Sequence, residues 1–200
     1  MICHVRCVRN FITCINAKTF NQRSGDGRFI VKSPFRADVS LLRDSKLIAQ
    51  KRFLSVEREL LADPKRHVLH KNFMKEGMEL GHLFPVSDDH PNKFLNYLPH
   101  HGVLKASSSS KKLRMVYDAS SKTSSGISLN DILQVGPTIQ QDLFSILARF
   151  RQHSYVVTAD IRKMYPQVML DANDQDLQYI LWRDDPSRPI QSFRSRRFTF

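Results

Sequence analysis

Between Asp44 and Asp63 the apolar positions Ala49, Phe53, Val56 and Leu60 step by 4, 3 and 4. That spacing gathers the side chains on one helical face and predicts a helix, with Asp44 or Ser45 available to cap its start. Pro64 stops it, since the residue before a proline is pushed out of the helical region. A second, shorter helix is predicted over Lys65–Glu79, weakened at its far end by Gly77 and Gly81. His82–Pro99 then reads as irregular or extended, with turn residues at Ser87, Asp88, Asp89, Pro91 and Asn92, and a new unit begins there.

Short extended runs at Val103–Ala106 and Leu113–Tyr117 flank four serines, Lys111 and Lys112, the pattern of a hairpin with a polar tip that is basic at one end. After the Ser/Thr/Gly-rich stretch Ser120–Ser128, Gly136-Pro137 introduces a third amphipathic helix, with Ile139, Leu143, Ile146 and Phe150 again spaced 4, 3 and 4. Tyr155–Ile161 is β-branched and apolar on both alternating sets, as in a strand buried on two faces, and delivers Asp160 near its end. Leu177–Arg183 and Gln191–Phe200 read as two more strands around the proline-rich turn Asp184–Pro189. Helices mixed with non-local strands make the expected fold class α+β.

Composition narrows the partner more than the fold. With 41% of its 200 residues apolar, 25% charged and a mean hydropathy of −0.38, the chain has the make-up of a folded globular protein. Its longest nearly uncharged apolar runs, Tyr155–Ala159 and Tyr179–Trp182, fall far short of the roughly 20 residues needed to cross a bilayer, so no membrane partner is expected. Lysine and arginine exceed the acids by 31 − 19 = 12. Residues 1–100 hold 17 bases and 10 acids, and residues 101–200 hold 14 and 9, so the excess belongs to the body of the chain and not to a basic tail. Nucleic acid is the specific partner such a charge fits best; a solvated basic surface is the plainer alternative. Cys3, Cys7 and Cys14 lie together near the start with no second Cys/His pair at finger spacing, which supports neither a zinc site nor a disulfide framework. A reducing, intracellular location is expected.

A lone aspartate closing a buried strand, as Asp160 does, reads either as a cap or as a metal ligand at the rim of a sheet. Its setting adds to this: a hairpin with Ser/Lys at its tip, a helix opened by Gly-Pro, the strand YVVTAD, and Tyr165 five residues beyond Asp160. From about Gly27 to Phe200 the chain resembles the reverse transcriptase region of BEL/Pao-type LTR retrotransposon polyproteins. GRFIVKSPF, DSKLIAQKRFLSVERELLADP and MELGHL look like the family's connection between protease region and polymerase. YLPHHGVLK, KLRMVYDASSK, SLND and VVTADIRKMYPQVML look like the fingers and first palm motif, and LWR like the strand after it.

The resemblance implies a partial right-hand polymerase, fingers and the start of the palm, over residues 82–200. It is preceded by a helical linker over 25–81 and a poorly defined extension over 1–24. It also implies RNA-directed DNA synthesis with Mg²⁺, on template-primer and deoxynucleoside triphosphates, alongside the remainder of the polyprotein in a cytoplasmic particle or the nucleus. Asp160 matches the first metal-binding carboxylate, and the backbone carbonyl of Ile161 would be a further ligand. Arg114 matches the fingers contact to the incoming triphosphate, with Lys105 and Lys112 as helpers; on the residues alone, these lysines read equally as solvated hairpin charge. Tyr165 matches the aromatic ring under the nucleotide sugar, and otherwise reads as a core aromatic.

The family's second carboxylate motif is not found within these residues. Asp184-Asp185 is no substitute, being followed by Pro186 in a turn. One carboxylate does not hold two ions, so this chain is expected to be inactive as a polymerase by itself. The alternative function is a non-catalytic basic nucleic-acid-binding or interaction module.

Overall fold

Pro64 divides one long helical stretch into α1 (Lys46–Ala62) and α2 (Pro64–Glu79). The residue between them, Asp63, turns its carboxylate onto the backbone N–H of Arg66 at 3.1 Å and so caps α2, whose first position the proline suits. The computed structural model describes residues 22–87, 94–104, 113–135, 142–157 and 168–197. On α1 the buried positions are Ala49, Phe53 and Leu60, with Val56 packed at the edge of the core, so the predicted stripe is the packing face. On α2 the buried positions are His70, Met74 and Gly77, spaced by 4 and 3.

Seven strands are described: β1 (Ile30–Val31), β2 (Leu83–Val86), β3 (His100–Leu104), β4 (Leu113–Tyr117), β5 (Met169–Leu170), β6 (Tyr179–Trp182) and β7 (Gln191–Ser195). They make three small sheets: β1 pairs with β5 in parallel, β3 with β4 antiparallel, and β2, β7 and β6 lie in that order as an antiparallel sheet. All four residues of β6 are buried, which its unbroken Tyr-Ile-Leu-Trp run requires. Pro85 sits in β2, at the edge of its sheet, where a missing N–H is tolerated. Gly77 lets β2 close onto α2, since a Cβ there would stand 2.9 Å from Leu83 Cδ1.

These elements share one core, in which Leu42, Met74, Ile132, Leu170 and Ile180 are almost wholly buried. The short helix α3 (Leu129–Ile132) is fixed by a capping box between Ser128 and Asp131, and Lys122 and the Ser128 groups hold the Asp131 carboxyl down to about 2. The chain is thus α+β with small sheets. Among the described residues no helix is long and apolar enough to cross a membrane.

Two expectations meet a different structure. The third amphipathic helix is present as α4 (Leu143–Phe150), capped by Asp142, but none of its side chains is buried: Phe144 is 81% and Leu143 70% exposed. Periodicity identifies an apolar stripe without identifying what covers it, and no described residue covers this one. Tyr155–Val157, expected in a buried strand, have no strand pairing and are exposed; residues 158–161 lie outside the described residues.

The core position of Phe53 gives a direct check. Phe53→Ala is expected to lower unfolding free energy by about 3–5 kcal/mol in urea titration, as large-to-small core changes do. Leu47→Ala, on the same helix but 64% exposed, is expected to stay within about 0.5 kcal/mol of the wild type.

Candidate nucleic-acid interface

The hairpin β3–β4 alternates over its inner part, up to the exposed Leu104. His100 and Gly102 on β3 and Met115 on β4 are buried, while His101, Val103 and Arg114 face out. In this register Arg114 lies opposite Val103, on the solvent face. Gly102 is needed for the close packing of the arms, because a Cβ there would stand 2.7 Å from Leu113 Cδ1. Its carbonyl accepts a 2.8 Å hydrogen bond from Arg66 Nη2, which ties the hairpin to α2.

Of the site residues that the resemblance implies, Arg114 is the one within the described residues. Lys105, Lys112, Asp160, Ile161 and Tyr165 lie outside the described residues. Among the described residues no group of three or more His, Cys, Asp or Glu side chains could hold a metal ion; the ligands that the resemblance implies, Asp160 and Ile161, lie outside them. Asp184 accepts from Trp182 Nε1 at 3.0 Å and lies 3.9 Å from Lys71 Nζ, and Asp185 accepts from the Ser187 N–H at 2.8 Å. Both carboxylates serve the turn that follows β6.

Behind the hairpin lies a buried aromatic cluster. The His70 ring stacks on Trp182 at 4.7 Å between centroids and 6° between planes, and His100 meets His70 edge-on at 5.6 Å. Phe53 approaches Trp182 at 6.0 Å and His100 at 6.4 Å, while His100 stacks on Tyr117 at 6.1 Å. Neither nitrogen of His70, nor Nε2 of His100, makes a hydrogen bond to a described residue. Burial first, then the neighbouring His67 and Arg66, pushes His70 down to about 4; burial, then His70 and His101, pushes His100 down to about 3. The Tyr117 phenol is raised by burial. The role of these histidines was readable in part: His70 falls on the 70, 74, 77 stripe of α2 and His100 on the inward set of β3.

A second group of residues lies where β1, β5 and the end of β7 meet. Arg23 stacks its guanidinium 4.2 Å from the Phe29 ring centre, and Arg196 stacks 3.9 Å from that of Phe84. Arg28 pairs with Asp26 at 3.2 Å. Met169 bridges to Arg197, and Leu170 N–H donates to the Arg196 carbonyl at 3.0 Å, which sets the end of β7 beside β5. Sequence reading missed this group, whose members are far apart in the chain. No protein-family model matches the chain, and no curated protein matches it.

The paired histidines fix a pH dependence. Both are neutral in the native protein down to pH values below 6.5, whereas unfolded histidines protonate near 6.5, so the unfolded state binds more protons as pH falls. Their contribution to stability is therefore fully present above pH 6.5 and is lost as pH falls to about 4 for His70 and about 3 for His100. The expected slope approaches about 2.7 kcal/mol per pH unit, the value for two protons, measured by urea unfolding across that range. His70→Phe is expected to reduce that slope by about half; an unchanged slope would place the titration elsewhere.

Proposed function

We propose that the chain is the fingers and first palm portion of a BEL/Pao-type reverse transcriptase and acts as a basic nucleic-acid-binding unit. Copying RNA into DNA would belong to the complete protein and not to these residues by themselves. The observation that carries this reading is the hairpin. YLPHHGVLK and KLRMVYDASSK, two of the stretches that bear the resemblance, supply the arms β3 and β4 of one antiparallel pair, with Arg114 on the open face. A guanidinium held there by a rigid ladder suits the bidentate recognition of a phosphate. The net charge of +12, spread through both halves of the chain, supports a polyanionic partner. The second reading is a basic module without polymerase ancestry, which the net charge supports equally.

Template-primer binding measured by fluorescence anisotropy tests the proposal. Affinity is expected to fall linearly with salt on a log-log plot, by about 0.9 per neutralised phosphate for a B-form duplex. A salt-independent isotherm overturns it. Arg114→Ala is expected to weaken deoxynucleoside triphosphate binding by roughly tenfold while changing duplex affinity much less, the loss of one charge-assisted contact. Equal loss in both assays favours the plain basic module.

A further inference from the structure

A cleft of about 210 Å³ opens where the last turn of α2 faces the ends of β6 and β7. Met78 reaches it from the helix, and Trp182 and Gln191, directly opposite one another, reach it from the strands. Its floor is apolar: Trp182 and Phe193 are each 3% exposed, and Met78 and Pro189 complete it. The floor is also fixed, since His70 stacks on the Trp182 indole at 4.7 Å and Asp184 accepts from the indole Nε1 at 3.0 Å. Clefts for drug-sized ligands hold roughly 300–1,000 Å³, so this smaller one takes a single ring system.

The mouth is polar and carries both signs of charge. All three side-chain nitrogens of Arg183 are engaged, Nε and Nη2 by Glu57 and Nη1 by the Arg188 carbonyl. Arg188 is exposed and forms no salt bridge with a described residue, although the Asp185 carboxylate lies near enough to interact with its charge. The Asp184 carboxylate is 40% exposed; its Oδ1 accepts from the indole, and Lys71 Nζ stands 3.9 Å from its Oδ2. A carboxylate accepts at about four positions, so Asp184 keeps room for further donors. Gln191 is exposed, and its amide both donates and accepts. Lys71, Arg183 and Arg188 against Glu57, Asp184 and Asp185 give a formal balance of 3 − 3 = 0. Such a mouth has no surplus charge for a bare anion and suits a neutral ring whose edge carries both donors and acceptors.

We infer that this cleft is a nucleobase site with a preference for guanine. The ring covers the apolar floor, where the Met78 sulfur makes a favourable contact with an aromatic ligand. Arg188 donates to O6 and N7, an acceptor pair that sets guanine apart from adenine, and Asp184 accepts from the N2 amino group. Adenine would instead present its own amino donor to the guanidinium. A plain phenyl ring would cover the same floor and leave the groups at the mouth to water. The same base comes from a free guanosine nucleotide or from an unpaired guanine in a nucleic-acid strand. The cleft owes nothing to Arg114 or to polymerase ancestry.

The test uses the 200-residue chain, whose one tryptophan is Trp182, so its emission reports on the cleft without a label. Guanosine, adenosine and inosine are titrated, with calorimetry alongside. Guanosine is expected to give a saturable change, adenosine to bind at least about tenfold more weakly, and inosine, which lacks the N2 amino group, to bind several-fold more weakly. Arg188→Gln is expected to melt with the wild type, its side chain being exposed, and to bind guanosine at least about tenfold more weakly. Asp184→Asn, whose amide oxygen can still accept from the indole, is expected to erase the preference for guanosine over inosine. No saturable guanosine binding by either readout, equal binding of adenosine, or undiminished binding by Arg188→Gln overturns the proposal. Template-primer binding that persists while guanosine binding is absent removes the cleft's role and leaves the nucleic-acid-binding function standing; guanosine binding without template-primer binding does the reverse. An oligothymidylate carrying one guanine then separates the sources. Binding at least about tenfold tighter than plain oligothymidylate, lost in Arg188→Gln, assigns the base to a strand, and no difference, with guanosine still bound, assigns it to the free nucleotide.

Discussion

The stack of the His70 imidazole on the Trp182 indole joins the helical pair to the sheet and the hairpin. Trp182 ends β6, His70 sits mid-way along α2, and His100 of β3 closes on the same imidazole from another side. Such a joint works only with neutral rings, because a protonated imidazole in this dry setting would have no counter-charge. Just past Trp182, Arg183 makes two 2.7 Å hydrogen bonds to the Glu57 carboxylate on α1. Consecutive residues thus hold the two helices, one through packing and the other through a paired charge. The hairpin inherits its position from this joint, and with it the outward placement of Arg114.

The electrostatics follow from how the acids are used. Asp38, Asp63, Asp142 and Asp185 each accept a backbone N–H at the start of a helix or turn. These carboxylates shape the chain instead of pairing with the lysines and arginines in excess of them. Cationic side chains therefore remain available on the surface, and in Arg197 one of them is drawn inside.

Legibility in the sequence tracked how ordinary each buried residue was. The stripe of α1 is built from apolar residues, and α2 begins within one residue of its expected start although its buried positions are His70, Met74 and Gly77. The arm Leu113–Tyr117 was also readable, whereas β3 begins at His100, three residues before Val103, because its inward positions are a histidine and a glycine and not large hydrophobes. The stretch holding β2 read only as irregular or extended, since a proline such as Pro85 is acceptable in a strand chiefly where the sheet has an edge, a fact of topology absent from local pattern. Of the candidate site, Arg114 is the member that falls within the described residues. The buried arginine was invisible to pattern reading for a statistical reason: arginine is almost never fully buried unless paired, so its burial is learned only from the assembled fold.

The pairing of β1 with β5 sets Ile30 beside Met169, 169 − 30 = 139 positions apart in the chain. On a ribosome, Ile30 and Val31 would emerge long before their partners exist, so the ladder that fastens β1 cannot form until about 140 further residues have been made. Closing so distant a contact also carries an entropic cost that local helices avoid. The helical pair can organise early from its own neighbours, and β1 is left to dock late. The bridge from Met169 to Arg197 lies at that junction, so the end of β7 gains its contact with β1 only through β5.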